Sequence, residues 1–373
     1  MSKKDSGAGL RGQSAGETAV CTVGAEGNSL RYRGFDVVDL ADLSTFYETA
    51  HMILKGHLPT QPELDAWKAK LKGLRGLPQS LREVLERIPA DAHPMDVMRT
   101  GCSFLGNIER EVDFSGQADV ADRLLAVFPS IIVYWYRYSH DGVRIETQTD
   151  DDTIGAHFLH MLHDQAPSEL AARVMDVSLI LYAEHEFNAS TFTARVCAST
   201  MSDLHSCITA AIGSLRGPLH GGANEAAMAM IEQYSSVDEA VADVHRKLAA
   251  RELIMGFGHA VYKVRDPRNA IIKKWSKKLS EEVGNSTLYD VSEAVERVMK
   301  EEKGMFANAD FFHASAYHFM RIPTGLFTPI FVMSRITGWA AHCFEQRANN
   351  RIIRPGADYI GHADRDYIPM ESR

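Results

Sequence analysis

Apolar residues recur at intervals of three and four through most of this chain, and that one rhythm limits the folds open to it. Glu63 to Leu71, Leu81 to Ile88, Ala118 to Tyr138, Ile154 to His163 and Leu170 to Tyr182 all carry helical spacing, with Pro- and Gly-bearing turns between them. Only Ala19 to Asp39 has strand character. There Val20, Thr22 and Val23 precede the turn signal Glu26-Gly27-Asn28, and Leu30, Tyr32 and Arg33-Gly34 follow it. A small N-terminal β-hairpin is expected, leading into helix at about Val38. Nowhere do strands alternate with helices, so a doubly wound nucleotide-binding sheet is disfavoured and the fold class is all-α.

Three helix starts can be read from their end chemistry. His93-Pro94-Met95-Asp96 places proline near a first turn. Ser236-Val237-Asp238-Glu239 has the form of a capping box, ahead of the stripe Val237, Ala240, Val241, Val244 and Leu248. Asp266-Pro267-Arg268 gives a cap and then proline at the first helical position, with Ile271, Ile272, Trp275 and Leu279 as the face to be buried.

The 373 residues suffice for two domains or one large one, and 45% hydrophobic with 24% charged is ordinary for a soluble protein. A net charge of −9 makes nucleic acid and membrane surfaces unexpected partners. The five cysteines are scattered without Cys-x-x-Cys spacing, so neither a disulfide framework nor a cysteine zinc site is indicated. Met1 to Gly16 is polar and lacks the apolar core of a signal peptide, and no later run approaches the roughly eighteen apolar residues of a membrane span. A frayed arm on a cytoplasmic protein is expected.

One region departs from the average charge. Between Arg246 and Lys278 stand ten basic residues against two acidic ones. Lys273, Lys274, Lys277 and Lys278 read as a solvated helix face. Lys263, Arg265 and Arg268 flank a Gly-rich turn and a helix start, an arrangement that attracts anions through side-chain charge and unpaired backbone N–H groups. An anionic small molecule is implied, though no P-loop is present to hold ATP.

Four segments carry candidate chemistry: Tyr182-Ala183-Glu184-His185-Glu186-Phe187-Asn188-Ala189-Ser190, Arg216-Gly217-Pro218-Leu219-His220-Gly221-Gly222-Ala223-Asn224-Glu225, Gly256-Phe257-Gly258-His259-Ala260-Val261-Tyr262, and Ala307-Asn308-Ala309-Asp310-Phe311-Phe312. The two glycines after His220 remove Cβ atoms where a ligand could approach the backbone. Asp310 reads as a carboxylate in an aromatic, loop-like setting, where burial would raise its pKa and make it a stronger base. His185 with Glu186 lacks His-Glu-x-x-His spacing, and His157, His160 and His163 drift around a helix face, so no metal site is expected and a metal-dependent hydrolase is disfavoured.

Taken together in this order, the segments resemble the citrate synthase family over essentially the whole chain, from Tyr32-Arg33-Gly34-Phe35-Asp36 to Arg354-Pro355. His93 to Gly101, Tyr134-Trp135-Tyr136, Ala183 to Phe192 and Gly338-Trp339-Ala340-Ala341-His342 resemble the bacterial 2-methylcitrate synthase branch of that family. The resemblance implies condensation of propanoyl-CoA with oxaloacetate, followed by thioester hydrolysis, with no cofactor beyond the CoA substrate. It implies Asp310 as base, His220 as hydrogen-bond donor to the enol(ate), and His259 as proton donor to the ketone. His185, Arg268, Arg335 and Arg354 would bind oxaloacetate, with Arg354 reaching in from the partner of a homodimer. Leu253, Gly256, Gly258, Lys263 and Arg265 would meet CoA, the backbone of 253–258 facing the adenine. A helix N-terminus near His220 would help keep that imidazole neutral.

The implied architecture is a large helical domain (1–220 and 325–373) and a smaller mobile one (221–324) that closes over the substrates. Two other readings stand beside it: citrate synthase acting on acetyl-CoA, and a non-catalytic CoA-binding helical scaffold. Propanoyl differs from acetyl by one methylene, which a hydrophobic pocket distinguishes by only about 1–3 kcal/mol, so the two activities would overlap.

Overall fold

The structure, a computed structural model, describes residues 9–10, 12–24 and 26–373. Most of the polar arm expected at the N-terminus lies outside the described residues. The first ordered elements are three short antiparallel strands, β1 (Cys21–Thr22), β2 (Arg31–Tyr32) and β3 (Phe35–Asp36), in the order β1-β2-β3. Cys21 pairs with Tyr32, and Tyr32 pairs in turn with Phe35. The expected hairpin is therefore extended by a third strand. Arg33 and Gly34 both have positive φ, 49° and 93°, the two-residue turn that matches the twist of flanking strands.

Sixteen α-helices follow. The first group is α1 (Val37–Leu43), α2 (Phe46–Lys55), α3 (Gln61–Gly73), α4 (Gln79–Leu85), α5 (Pro94–Ile108) and α6 (Gln117–Asp141). Next come α7 (Ile154–His163), α8 (Glu169–Tyr182), α9 (Ala189–Ser199) and α10 (Leu204–Leu215). The last are α11 (Ala223–Ile231), α12 (Val237–Ala249), α13 (Pro267–Val283), α14 (Thr287–Lys303), α15 (Ala309–Phe319) and α16 (Phe327–Ala348).

The end chemistry works largely as read. Asp266 caps α13 through the Arg268 N–H, and Pro267 is its first residue. Ser236 caps α12 through the Glu239 N–H, but Glu239 reaches back to the Ser235 N–H at 2.8 Å rather than to that of Ser236. Half of the capping box is thus shifted by one residue. Leu81 to Ile88 is shorter than its apolar spacing suggests, because α4 ends at Leu85.

The organising element is α16. Every residue from Phe327 to Cys343 is buried, as expected of a helix surrounded on all sides. It packs against α2, α5, α6, α8, α9, α10 and α11. Close approach elsewhere depends on glycine: a Cβ at Gly155 of α7 would stand 2.6 Å from Met175 Cβ on α8. Helices α11 to α15 pack mainly on one another, with α13 also touching α1 and α8, and α11 touching α16. The candidate residues cluster where these two groups of helices meet. His157, His160 and His163 turn to separate partners: Ser130 and Thr149, Asp151, and the Met320 carbonyl.

Candidate active site

The turn after α8 is the hub. Between Tyr182 and Ser190 the chain leaves one helix and starts the next, and three of its residues each hold a candidate residue from elsewhere. Tyr182 donates its hydroxyl to Asp310 Oδ1 at 2.6 Å, and its carbonyl accepts the Arg335 Nε–H at 2.6 Å. His185 lies beside His259, ring centroids 5.1 Å apart, and its Nε2 is 3.0 Å from the Tyr262 hydroxyl. Ser190 holds His220.

That last contact decides a protonation state. Ser190 is the second residue of α9, so its N–H has no carbonyl one turn earlier to pair with. It donates instead to His220 Nε2 at 3.2 Å. A backbone amide can only donate, so Nε2 carries a lone pair and the ring proton is on Nδ1. The Ser190 hydroxyl, 2.8 Å from the same nitrogen, accepts the Trp339 indole N–H at 3.0 Å and has a single proton to share between that Nε2 and Asn188 Oδ1, 2.8 Å away. Burial, followed by the nearby Arg335 charge, pushes His220 down to about 4. The helix end that touches it is that of α9, reached through space, rather than α11, which follows it in sequence.

His259 has the opposite tautomer. Its Nδ1 accepts the N–H groups of Val261 and Tyr262 at 3.1 and 3.3 Å, which puts the proton on Nε2. Asp310 lies not in a loop but in the first turn of α15, with Asn308 capping through the Asp310 N–H. Burial raises its pKa, as expected, while the Tyr182 hydroxyl and the Arg268 charge favour the carboxylate. The Tyr182 ring is stacked between His313 and Phe331, centroids 4.2 and 4.0 Å away, so its hydroxyl is firmly aimed. His185 is held well below the ordinary imidazole value by burial, then by the Arg268 charge.

Two of the candidate arginines, Arg268 and Arg335, are buried and are provided for differently. Arg268 meets Asp266 with two bonds, Nε to Oδ1 at 2.9 Å and Nη2 to Oδ2 at 2.8 Å. Arg335, 1% exposed, makes no ion pair among the described residues; beyond the Tyr182 carbonyl it has the Phe331 ring at 4.6 Å. A buried cation with donors to spare suits a carboxylate ligand. Arg268 is separated from Lys263 and Arg265, which are exposed on the loop before α13.

The remaining candidates are placed unevenly. Leu253 is exposed, and the backbone near it is partly committed. The Gly256 carbonyl takes the Asn308 N–H at 2.9 Å, and Gly258 N–H donates to the Phe306 carbonyl at 2.9 Å. Phe257 pairs with Ala307 as an isolated bridge, so the loop is pinned to the approach to Asp310. Both glycines have positive φ, and a Cβ at Gly256 would strike the Phe311 ring at 2.7 Å. Gly221 also answers to packing, since a Cβ there would clash with the Leu215 carbonyl oxygen, whereas one at Gly222 would meet only Pro218 Cα at 3.8 Å. Arg354 is exposed in the C-terminal segment and is not brought to the other candidates within this chain.

The profile described as "Citrate synthase, C-terminal domain" matches residues 9–356. The chain belongs to the citrate synthase family. It is 69% identical to the 2-methylcitrate synthase of Shewanella oneidensis, covering 100% of this chain and 99% of that one. It is also 38% identical to the citrate/2-methylcitrate synthase of Bacillus subtilis, covering 95% and 96%. Among solved structures, the citrate synthase of Thermoplasma acidophilum, in a ternary complex with carboxymethyl coenzyme A and oxaloacetate, superposes with a TM-score of 0.90 at 30% identity, covering 98% of both chains. The citrate synthase of Thermotoga maritima gives 0.85 at 35%, covering 98% and 99%.

Within this citrate synthase family enzyme, sequence reading assigned no role to Tyr182, Ser190, Tyr262 or Trp339, and read Asp266 only as a helix cap. Tyr182, Ser190, Tyr262 and Trp339 stand inside segments that carried the resemblance, but hydrogen bonds across 30 to 149 residues, such as Ser190–His220, Tyr182–Asp310 and Ser190–Trp339, leave no spacing signal. The Tyr182–Asp310 bond yields a directional test. On the expectation that Asp310 is the base, it must be ionised to accept a proton, so the rate should rise with pH through its raised pKa. Tyr182→Phe removes a bond that favours the carboxylate, so the acidic limb of kcat should move to higher pH. A limb that stays in place, or moves to lower pH, contradicts the assignment.

Proposed function

We propose that this enzyme condenses propanoyl-CoA with oxaloacetate and water to give 2-methylcitrate and CoA. The observation that carries the reading is that the one turn from Tyr182 to Ser190 meets a carboxyl group of raised pKa and two neutral imidazoles whose protons sit on opposite nitrogens. Asp310 removes a proton from the carbon next to the thioester carbonyl. The His220 Nδ1–H stabilises the developing enolate oxygen without having to lose its own proton. The enolate carbon attacks the ketone, and the His259 Nε2–H supplies the proton that the new alkoxide takes up. Water then cleaves the thioester. His185, Arg268 and Arg335 hold the two carboxylates of oxaloacetate, and Lys263 and Arg265 offer exposed charge to the CoA phosphates.

The acyl preference follows the 69% relative, whose name specifies 2-methylcitrate. Acetyl-CoA stands as the second substrate, since the Bacillus relative is named for both products. Closure of residues 221–324 over the bound pair, supported by the mutual packing of α11 to α15, would keep water from the enolate until the carbon–carbon bond exists. Five unpaired cysteines suit a cytoplasmic setting.

The homodimer is supported by the C-terminal segment. Ile352, Tyr359, Ile360, Tyr367, Ile368 and Met370 are 54–94% exposed there, an apolar surface that calls for a partner. Arg354 sits in that segment, where a second copy of the chain can receive it.

Two measurements test these readings. With oxaloacetate fixed, CoA release should show a higher kcat/KM for propanoyl-CoA than for acetyl-CoA, and Asp310→Asn should abolish both; a preference for acetyl-CoA reverses the substrate assignment, and full activity in the variant removes Asp310 as the base. Arg354→Ala and Asp310→Asn chains, each inactive alone, should regain activity when co-assembled, because one site of the mixed dimer then holds both residues. No recovery would place Arg354 outside a shared site.

A further inference from the structure

Behind the site, Glu184, His342, Arg195 and Glu345 form a run of hydrogen bonds that the proposed reaction does not use. Glu184 is wholly buried. Its Oε1 accepts the His185 N–H at 2.7 Å, and its Oε2 lies 2.5 Å from His342 Nε2. Arg195 Nη1 donates to His342 Nδ1 at 3.0 Å and to Glu345 Oε2 at 2.6 Å. Glu345 Oε1 in turn accepts the Ala19 N–H at 2.7 Å, just ahead of β1.

A guanidinium can only donate, so His342 Nδ1 is the acceptor and the ring proton lies on Nε2, where Glu184 receives it. The imidazole thus joins a cation to a carboxylate while carrying no charge itself. Phe187 closes the arrangement, with its ring edge-on to His342 at 5.6 Å and 4.6 Å from the Arg195 guanidinium. Glycine permits the approach of α16. A Cβ at Gly338 would stand 2.6 Å from the Ala183 carbonyl oxygen and 3.1 Å from Glu184 Cδ.

Both oxygens of Glu184 are therefore assigned, one to the helix at the centre of the fold and one to the main chain that presents His185. The negative charge of the same carboxylate opposes the effect of burial on Arg335. We infer that Glu184, braced by His342 and Arg195, is a positioning residue for the subsite that takes the ketone diacid, fixing the main chain at His185. The inference rests on the condensation proposed above, in which His185 and Arg335 bind oxaloacetate.

Three substitutions at His342 separate positioning from bulk stability. Glutamine places an amide N–H where Nε2 stood, asparagine places a carbonyl oxygen where Nδ1 stood, and leucine supplies neither. His342→Asn and His342→Leu should raise the KM for oxaloacetate about tenfold or more, the scale on which a small misplacement of a binding group acts. The thioester KM and kcat should stay within about twofold, the pattern of lost ground-state binding. His342→Gln should stay close to wild type.

Glu111→Gln is the control, since it breaks the buried pair with Arg347 (2.8 Å) away from these residues; it should lower Tm and leave both KM values alone. An unchanged oxaloacetate KM in the asparagine and leucine variants overturns the inference. So does an equal rise in Glu111→Gln, or a parallel rise in both substrates' KM. If the wild-type enzyme is not saturated by oxaloacetate at all, the condensation reading fails and this inference with it; a saturable wild type with unresponsive variants overturns this inference alone.

Discussion

One backbone amide sets the chemistry of this site. Helices begin with N–H groups that have no partner of their own, and at the start of α9 the amide of Ser190 meets the Nε2 of His220. Had that nitrogen carried a proton, two donors would face each other in a buried space. The ring therefore stays neutral and keeps its proton on Nδ1. A neutral donor near a carboxyl of raised pKa is what enolate formation requires, since a charged imidazolium would lose its proton rather than share it. The remaining polar groups are arranged around this pair. Trp339 steadies the Ser190 hydroxyl, and Arg335 makes protonation of His220 costlier still.

The helix that makes this possible is α16, buried along almost its whole length. A helix buried over most of its length has to find partners for its strongly polar side chains within the protein. Arg335, Trp339 and His342, spaced to share one face, do so by bonding the Tyr182 carbonyl, the Ser190 hydroxyl and the Glu184 carboxylate. The segment from 182 to 190 is thereby tied to the core at three points. It in turn meets Asp310 by a hydrogen bond, His259 by ring contact and His220 by the Ser190 amide. Rigidity at the centre is passed outward to the reacting groups.

Much of this was legible in the sequence, for physical reasons that also explain what was not. The apolar period gave the all-α class, and Asp266-Pro267 announced the start of α13 because capping is local. The third strand was missed because a two-residue strand has no period to detect, although the Arg33-Gly34 turn beside it was noticed. Asp310 was read into a loop because Asn308, its capping residue, follows a segment without helical spacing. The glycine after His220 was credited to ligand approach; that it also answers to the Leu215 carbonyl is a contact only coordinates reveal. The candidate histidines, arginines and carboxylate were named through resemblance, whereas the residues that hold them act across long sequence separations.

The claim that most of this account rests on is the state of His220, and nitrogen NMR of its ring in the unliganded enzyme tests it directly. The account predicts a neutral ring at neutral pH, protonated at Nδ1 and bare at Nε2, that remains neutral on acidification until the pH nears about 4. A proton on Nε2, or an imidazolium already present near neutral pH, would contradict it.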